Sequence, residues 1–216
     1  MFGRHTSTLP APGATLAGRD QRTFPVAERH RVLDAPVITD EVPDGLEVAI
    51  FGLGCFWGAE EIYWQLPGVW STSVGYAGGA TPHPSYEEVC SGRTGHTEAV
   101  RIVFDPTVVS YAALVKTFFE VHDPTQGMRQ GNDIGTQYRS AIYWTTPEQE
   151  QTARELTKVY GDELARRRLG DITTEIRPAS ETPYYYAEDH HQQYLAKNPF
   201  GYRCHANTGV RFPADA

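Results

Sequence analysis

The chain has 216 residues, 40% apolar and 21% charged, enough to bury a core as one large domain or as a domain with arms. A formal net charge of −8 argues against nonspecific binding to nucleic acid or to anionic membranes. No apolar run approaches the ~20 residues that span a bilayer, and the first residues lack the apolar core of a signal peptide, so the expected compartment is the cytoplasm.

Residues 1–45, rich in Pro, Ala and Thr and without a clear period, are expected to form an extended arm draped on the domain. Residues 46–54 read as the first strand. A helix over Phe56–Leu66 follows and is stopped by Pro67-Gly68. "STSVGYAGG" reads as a short strand that runs into a Gly- and Pro-rich loop. "EEVC" has the look of a short helical turn with Cys90 at its buried end. "HTEAVRIVFDP" is the cleanest strand, with Val100, Ile102 and Phe104 on one face. Ser110 can cap the next helix, which ends before Asp123-Pro124.

"QYRSAIYW" is a further strand, opened by Tyr138. Thr146 caps a long helix with Pro147 at its first position, and the basic run Arg166–Arg168 lies inside it as a solvated face. "DITTEIRP" reads as a strand and "AEDHHQQYLAK" as a short helix, placing His190 and Tyr194 on one face. Residues 199–216 form an irregular tail. The expected fold is α+β: a two-layer sandwich, a mixed β-sheet packed by helices, with a ferredoxin-like core, extensions and that tail. The arm precedes a catalytic domain over residues 46–198.

Three cysteines, Cys55, Cys90 and Cys204, with no CxxC, fit neither a disulfide framework nor a zinc ribbon, so reduced thiols are expected. Cys55 falls in Gly-Cys-Phe-Trp-Gly, at the turn from strand to helix. Free N–H groups and the helix dipole there favour a thiolate and are expected to lower its pKa. Phe56 and Trp57 would stand beside the sulfur as apolar walls.

Glu98 shares its strand face with Val100, Ile102 and Phe104. A carboxyl on an apolar face is costly to ionise, so its pKa is expected to rise and suit it to donate a proton. A frayed strand start, with Glu98 in solvent, is the bland alternative. Tyr76, Tyr86 and Tyr138 sit at loop–strand junctions, from which hydroxyls can enter a cleft. Cys204 in a mobile tail could reach Cys55, and so could Cys90. The histidines fit no standard zinc spacing.

The blocks "GLGCFWGAEEIYWQLPGV", "VGYAGG", "SYEEVCSGRTGHTEAVRIVFDP", "HDPTQGMRQGNDIGTQYRSAIY" and "YYAEDHHQQYLAKNPFGYRC" resemble peptide methionine sulfoxide reductase A over residues 40–205. That enzyme class repairs oxidised methionine, one enzyme per sulfoxide epimer. The resemblance implies that Cys55 attacks the sulfoxide sulfur of the S epimer, in proteins or as the free amino acid. It implies that Glu98, helped by Tyr86 and Tyr138, protonates the oxygen, with Asp133 in support. Phe56 and Trp57 would hold the substrate methyl group, and His190 and Tyr194 are further candidates for substrate binding. Cys55 would become a sulfenic acid, and a disulfide with Cys204 would follow, reduced by thioredoxin.

No metal or organic cofactor is implied, and a monomer is expected. Some relatives carry a cysteine directly after the "GY" of this tail, whereas here Arg203 intervenes and no cysteine follows Cys204. Cys90 is expected to be structural. Two other readings compete. A cysteine hydrolase or acyltransferase would need a base and oxyanion donors rather than a protonated carboxyl. A non-catalytic binder of oxidised methionine would not need the intact set of Cys55, Glu98 and tyrosines.

Overall fold

The computed structural model describes residues 7–204 and 206–213; residues 1–6 of the expected arm, and His205 and residues 214–216 of the expected tail, lie outside the described residues. In chain order the elements are β1 (Glu47–Leu53), α1 (Phe56–Trp64), β2 (Val69–Ala77), α2 (Tyr86–Cys90), β3 (Thr97–Phe104) and α3 (Tyr111–Val121). Two short strands, β4 (Arg129–Gln130) and β5 (Asp133–Ile134), come next. Then follow β6 (Ser140–Trp144), α4 (Pro147–Arg166), β7 (Glu175–Pro178), β8 (Tyr185–Tyr186) and α5 (Tyr194–Lys197).

Six strands make one sheet in the order β7-β6-β1-β3-β2-β8, antiparallel except for the parallel β6–β7 pair. β1 and β2 flank β3, and β3 and β6 flank β1, so α1 and α3 each connect two parallel strands across a third. This interlocked pair of split β-α-β units is the ferredoxin-like core. It is extended at one edge by α4 and β7 and at the other by β8. The fold is thus α+β, with helices on a mixed sheet, as expected.

The helices gather on one face, where Phe51, Tyr63, Ile102, Phe118, Phe119 and Tyr160 are fully buried. The Phe51 and Phe118 rings meet at 5.4 Å. Each such side chain contributes about 1.5–3 kcal/mol on leaving water. All eight residues of β3 are buried, because the strand is central and both faces are covered. Its alternation is therefore resolved: Val100, Ile102 and Phe104 meet the helices, while Ala99 belongs to a separate cluster with Ile50 and Tyr143.

Caps set two helices where the sequence predicts them. Ser110 Oγ accepts from the Ala113 N–H at 3.1 Å, and Thr146 Oγ1 accepts from the Gln149 N–H at 3.2 Å. Elsewhere the boundaries move. β2 starts at Val69, earlier than expected, and β7 is only Glu175–Pro178. α1 stops at Trp64, one turn before Pro67. Tyr138 ends a 3-10 turn, Thr136–Tyr138, and does not open a strand.

The helix expected over residues 187–197 shrinks to Tyr194–Lys197. Gln192 is the reason. Its side chain bonds the N–H and C=O of Val74 at 2.9 and 2.8 Å, standing in for a strand partner. Gln193 is left-handed at φ 45°, which breaks the helical run.

Candidate active site

Gly54 turns the chain at φ +94°, and a Cβ there would lie 2.7 and 2.8 Å from the Cγ and Cβ of Gln130. Only glycine gives both the backbone angle and the close approach. The turn makes Cys55 the N-cap of α1. Two residues on, the β1–β3 register would set Leu53 opposite Glu98, so the chain leaves the sheet beside that carboxyl. The Phe56 N–H donates to Glu98 Oε2 at 3.0 Å. Glu98 is 2% exposed and Cys55 8%.

These residues line a cavity of about 200 Å³ together with Phe56, Trp57, Tyr86, Asp133, Tyr138 and Tyr202. Burial is the largest influence on Glu98; with the nearby charge of Asp133 it outweighs the Phe56 N–H and raises the pKa to about 8. The carboxyl is therefore largely protonated at neutral pH. Burial also raises Tyr86 and Tyr138, so both keep their protons.

Cys55 departs from expectation. The N–H groups of Trp57 and Gly58 at the helix start do pull its pKa down, but burial first, and then the Glu98 charge, push it well above the usual thiol range. Desolvation on burial outweighs two helix-end N–H groups. The resting thiol is neutral, and protonation of Glu98 removes one of the charges that oppose its ionisation.

The second wall of the cavity is an aromatic stack. Tyr194 stacks on Trp57, the ring centroids 3.9 Å apart at 16°, and does not itself line the cavity. The Trp57 indole N–H donates to His191 Nδ1 at 3.1 Å, and the His191 ring meets Phe56 and Tyr86 at 5.2 and 4.5 Å. Sequence periodicity pointed to His190, but that residue is exposed, stands outside the lining of the cavity and meets the His191 ring at 4.0 Å. The correction follows from the broken helix: without a full turn, His190 and Tyr194 do not share a face. His191 is held neutral, its pKa lowered to about 3 by burial.

Asp133 lies at the mouth on β5, where it accepts the Tyr202 hydroxyl at 3.1 Å. Cys204 follows Tyr202 closely, its Sγ 3.6 Å from the Gln130 carbonyl oxygen, so it sits beside the hairpin that abuts Gly54. Cys90 is half-buried at the end of α2 and shares a hydrogen bond with the Tyr86 hydroxyl.

Sequence reasoning missed four contributors. Tyr202 lines the cavity, and Gln130 buttresses the turn. His191 backs the indole. Glu188 accepts the Tyr76 hydroxyl at 2.7 Å and the Tyr86 N–H at 2.8 Å, fixing the start of α2. Only the adjacency of His190 and His191 carried any local signal.

The family model described as peptide methionine sulfoxide reductase matches residues 47–213. The peptide methionine sulfoxide reductase MsrA of Salinispora arenicola is 56% identical over 212 residues, 97% of this chain and 94% of the relative. That of Azotobacter vinelandii is 56% identical over 209 residues, 97% of this chain and 95% of the relative. The solved methionine sulfoxide reductase A of Corynebacterium diphtheriae shares 50% identity, covers 95% of this chain and 99% of its own, and superposes with a TM-score of 0.85. Mxr1 from Saccharomyces cerevisiae in reduced form shares 33% identity over 75% of this chain and 91% of its own, at a TM-score of 0.68. The chain belongs to the peptide methionine sulfoxide reductase family and is an oxidoreductase.

Proposed function

We propose that this methionine sulfoxide reductase takes the S epimer, protein-bound or free, through a sulfenic acid on Cys55. One observation carries the reading: a buried carboxyl, protonated near neutral pH, shares a small aromatic-walled cavity with a buried thiol. Glu98, with the hydroxyls of Tyr86 and Tyr138, donates to the sulfoxide oxygen and makes the sulfur electrophilic. Cys55 attacks that sulfur, its thiol proton replacing the one Glu98 gave up, and Phe56 and Trp57 pack on the substrate methyl group. The oxygen ends on Cys55 as sulfenic acid, and methionine leaves. Asp133 steadies the mouth through Tyr202.

The Cys204 thiol then displaces the sulfenic oxygen as water and forms a disulfide with Cys55. A dithiol reductant, thioredoxin, returns both thiols. The protein works as a monomer in the cytoplasm, without metal or organic cofactor. A hydrolase is disfavoured because Glu98 is neutral where a base would be needed.

The test follows both epimers of a racemic methionine sulfoxide derivative by chromatography, with and without dithiothreitol. Loss of the S epimer alone, with turnover only when dithiothreitol is present, is expected; persistence of both epimers would overturn the reading. Cys55→Ser should abolish reduction. Cys204→Ser should release one methionine per chain and stop turnover by thioredoxin.

A further inference from the structure

Three consecutive tail residues are tied to three different elements. The Tyr202 hydroxyl donates to Asp133 on β5, and Cys204 Sγ sits at the Gln130 carbonyl on β4. Between them, Arg203 grips Glu61 of α1 with two prongs: Nε to Oε2 at 2.6 Å and Nη2 to Oε1 at 2.7 Å. The remaining guanidinium nitrogen, Nη1, donates to the carbonyls of Pro199 and Gly201 at 2.9 and 3.3 Å, closing the turn on itself. Both side chains of the pair are mostly shielded, at 29% and 21% exposure.

We infer that the Arg203–Glu61 pair is a positioning clamp that holds Cys204 ready for the Cys55 sulfenic acid. The inference rests on the two-cysteine cycle proposed above. Glu61 lies six residues beyond Cys55 on the same helix, about 9 Å along its axis. The clamp therefore fixes the tail to the element that carries the nucleophile. A fork-to-fork guanidinium–carboxylate pair sets orientation as well as position, unlike a single-pronged surface pair.

Residues 198–203 join α5 to Cys204 without helix or strand. Left untied, such a segment spreads its thiol over many positions and dilutes it at Cys55. Pinned at residue 203, Cys204 has a smaller volume to search for Cys55 once it leaves the Gln130 carbonyl. The step balances: the Cys55 S–O bond breaks, an S–S bond forms, and the hydroxyl leaves with the Cys204 thiol proton as water. The sulfoxide has already supplied the oxidising equivalent.

The experiment mixes reduced protein with one equivalent of methionine sulfoxide, without reductant, and quenches with an alkylating agent over time. Methionine release and Cys55–Cys204 disulfide are read separately, by chromatography and mass spectrometry. In Arg203→Ala and Glu61→Gln, release should stay within about twofold of wild type while disulfide formation slows about tenfold, as expected for loss of a two-pronged charged pair. Sulfenic acid should accumulate and be trapped by a 1,3-dione. The exchange Arg203→Glu with Glu61→Arg should restore most of the disulfide rate. A wild-type disulfide rate in Arg203→Ala overturns the clamp alone. If Cys204→Ser matches wild type with thioredoxin, the two-cysteine cycle falls and the clamp with it.

Discussion

Glu98 is the buried acid on which the proposed mechanism turns. With its pKa raised to about 8, the acid form persists through neutral pH and is lost above it. Single-turnover methionine release should accordingly fall as pH rises through about 8, and Glu98→Gln should flatten that limb while slowing release about 100-fold, the usual scale for a general acid. Stopped-flow or quenched-flow rates from pH 6 to 9.5 would check both, and an unchanged limb in the variant would remove Glu98 from the step. Gly54 is the second decisive residue. Gly54→Ala puts a methyl group against Gln130 in a left-handed backbone and should cost about 1–3 kcal/mol, read by chemical denaturation. Activity should fall further than stability does, because the strain is released by moving Cys55.

At the scale of elements, α1 is held from beneath as well as from its cap. Glu60, fully buried, accepts the backbone and side-chain N–H groups of Gln193, both at 2.7 Å, and the Thr72 hydroxyl at 3.1 Å. His30 Nε2 stands 3.9 Å from the same carboxyl. This knot joins the helix of Cys55 to the turn that carries His191 and Tyr194, so it also aligns Trp57 with its backing rings. Burial, opposed by the Gln193 bonds, raises the Glu60 pKa from 4.5 to about 7. The folded state therefore binds the proton more tightly than the unfolded chain does. The Glu60 contribution to stability should decline as pH rises from about 4.5 to about 7 and level off above, read as the difference between wild type and Glu60→Gln when the melting of both is followed against pH. Glu60→Ala, which strands the Gln193 donors, should cost about 2–4 kcal/mol.

For the whole molecule, the two irregular ends act as fasteners. The arm sends buried His30 to the Thr72 hydroxyl at 2.8 Å, accepts Arg101 at Thr39, and pairs Arg19 with Glu88 at 2.8 and 2.9 Å, against the helix of Tyr86. Beyond the site the tail crosses α4, where Tyr160 bonds Thr208 and the Phe212 ring meets the Tyr160 ring at 5.0 Å. A chain starting at residue 43 would leave Arg101, Thr72 and Glu88 without these partners. Its melting temperature should drop by about 10 °C, from several lost buried and half-buried bonds at about 1–3 kcal/mol each. Scanning calorimetry would check this, and an unchanged melting point would make the arm a passive wrapping.

Much of this was legible in the sequence, because it depends on local pattern. Period-two alternation put Glu98 on the same face of β3 as Val100, Ile102 and Phe104, Ser110 and Thr146 announced their helices, and Gly-Cys-Phe-Trp-Gly marked a strand–helix turn. Other features depended on groups far apart in the chain. The sign of the Cys55 shift came from burial and Glu98, which outweighed the helix end that local reasoning favoured. The burial of His191 beside Trp57 and the exposure of His190 followed from Gln192 and Gln193 being drawn out of a helix by Val74 and Glu60. The place of Cys204 beside Gln130, and of Arg203 on Glu61, arose where a tail without period met α1 and a short hairpin. Local propensity and periodicity are written residue by residue, whereas desolvation and long-range hydrogen bonding exist only once distant segments exclude water together.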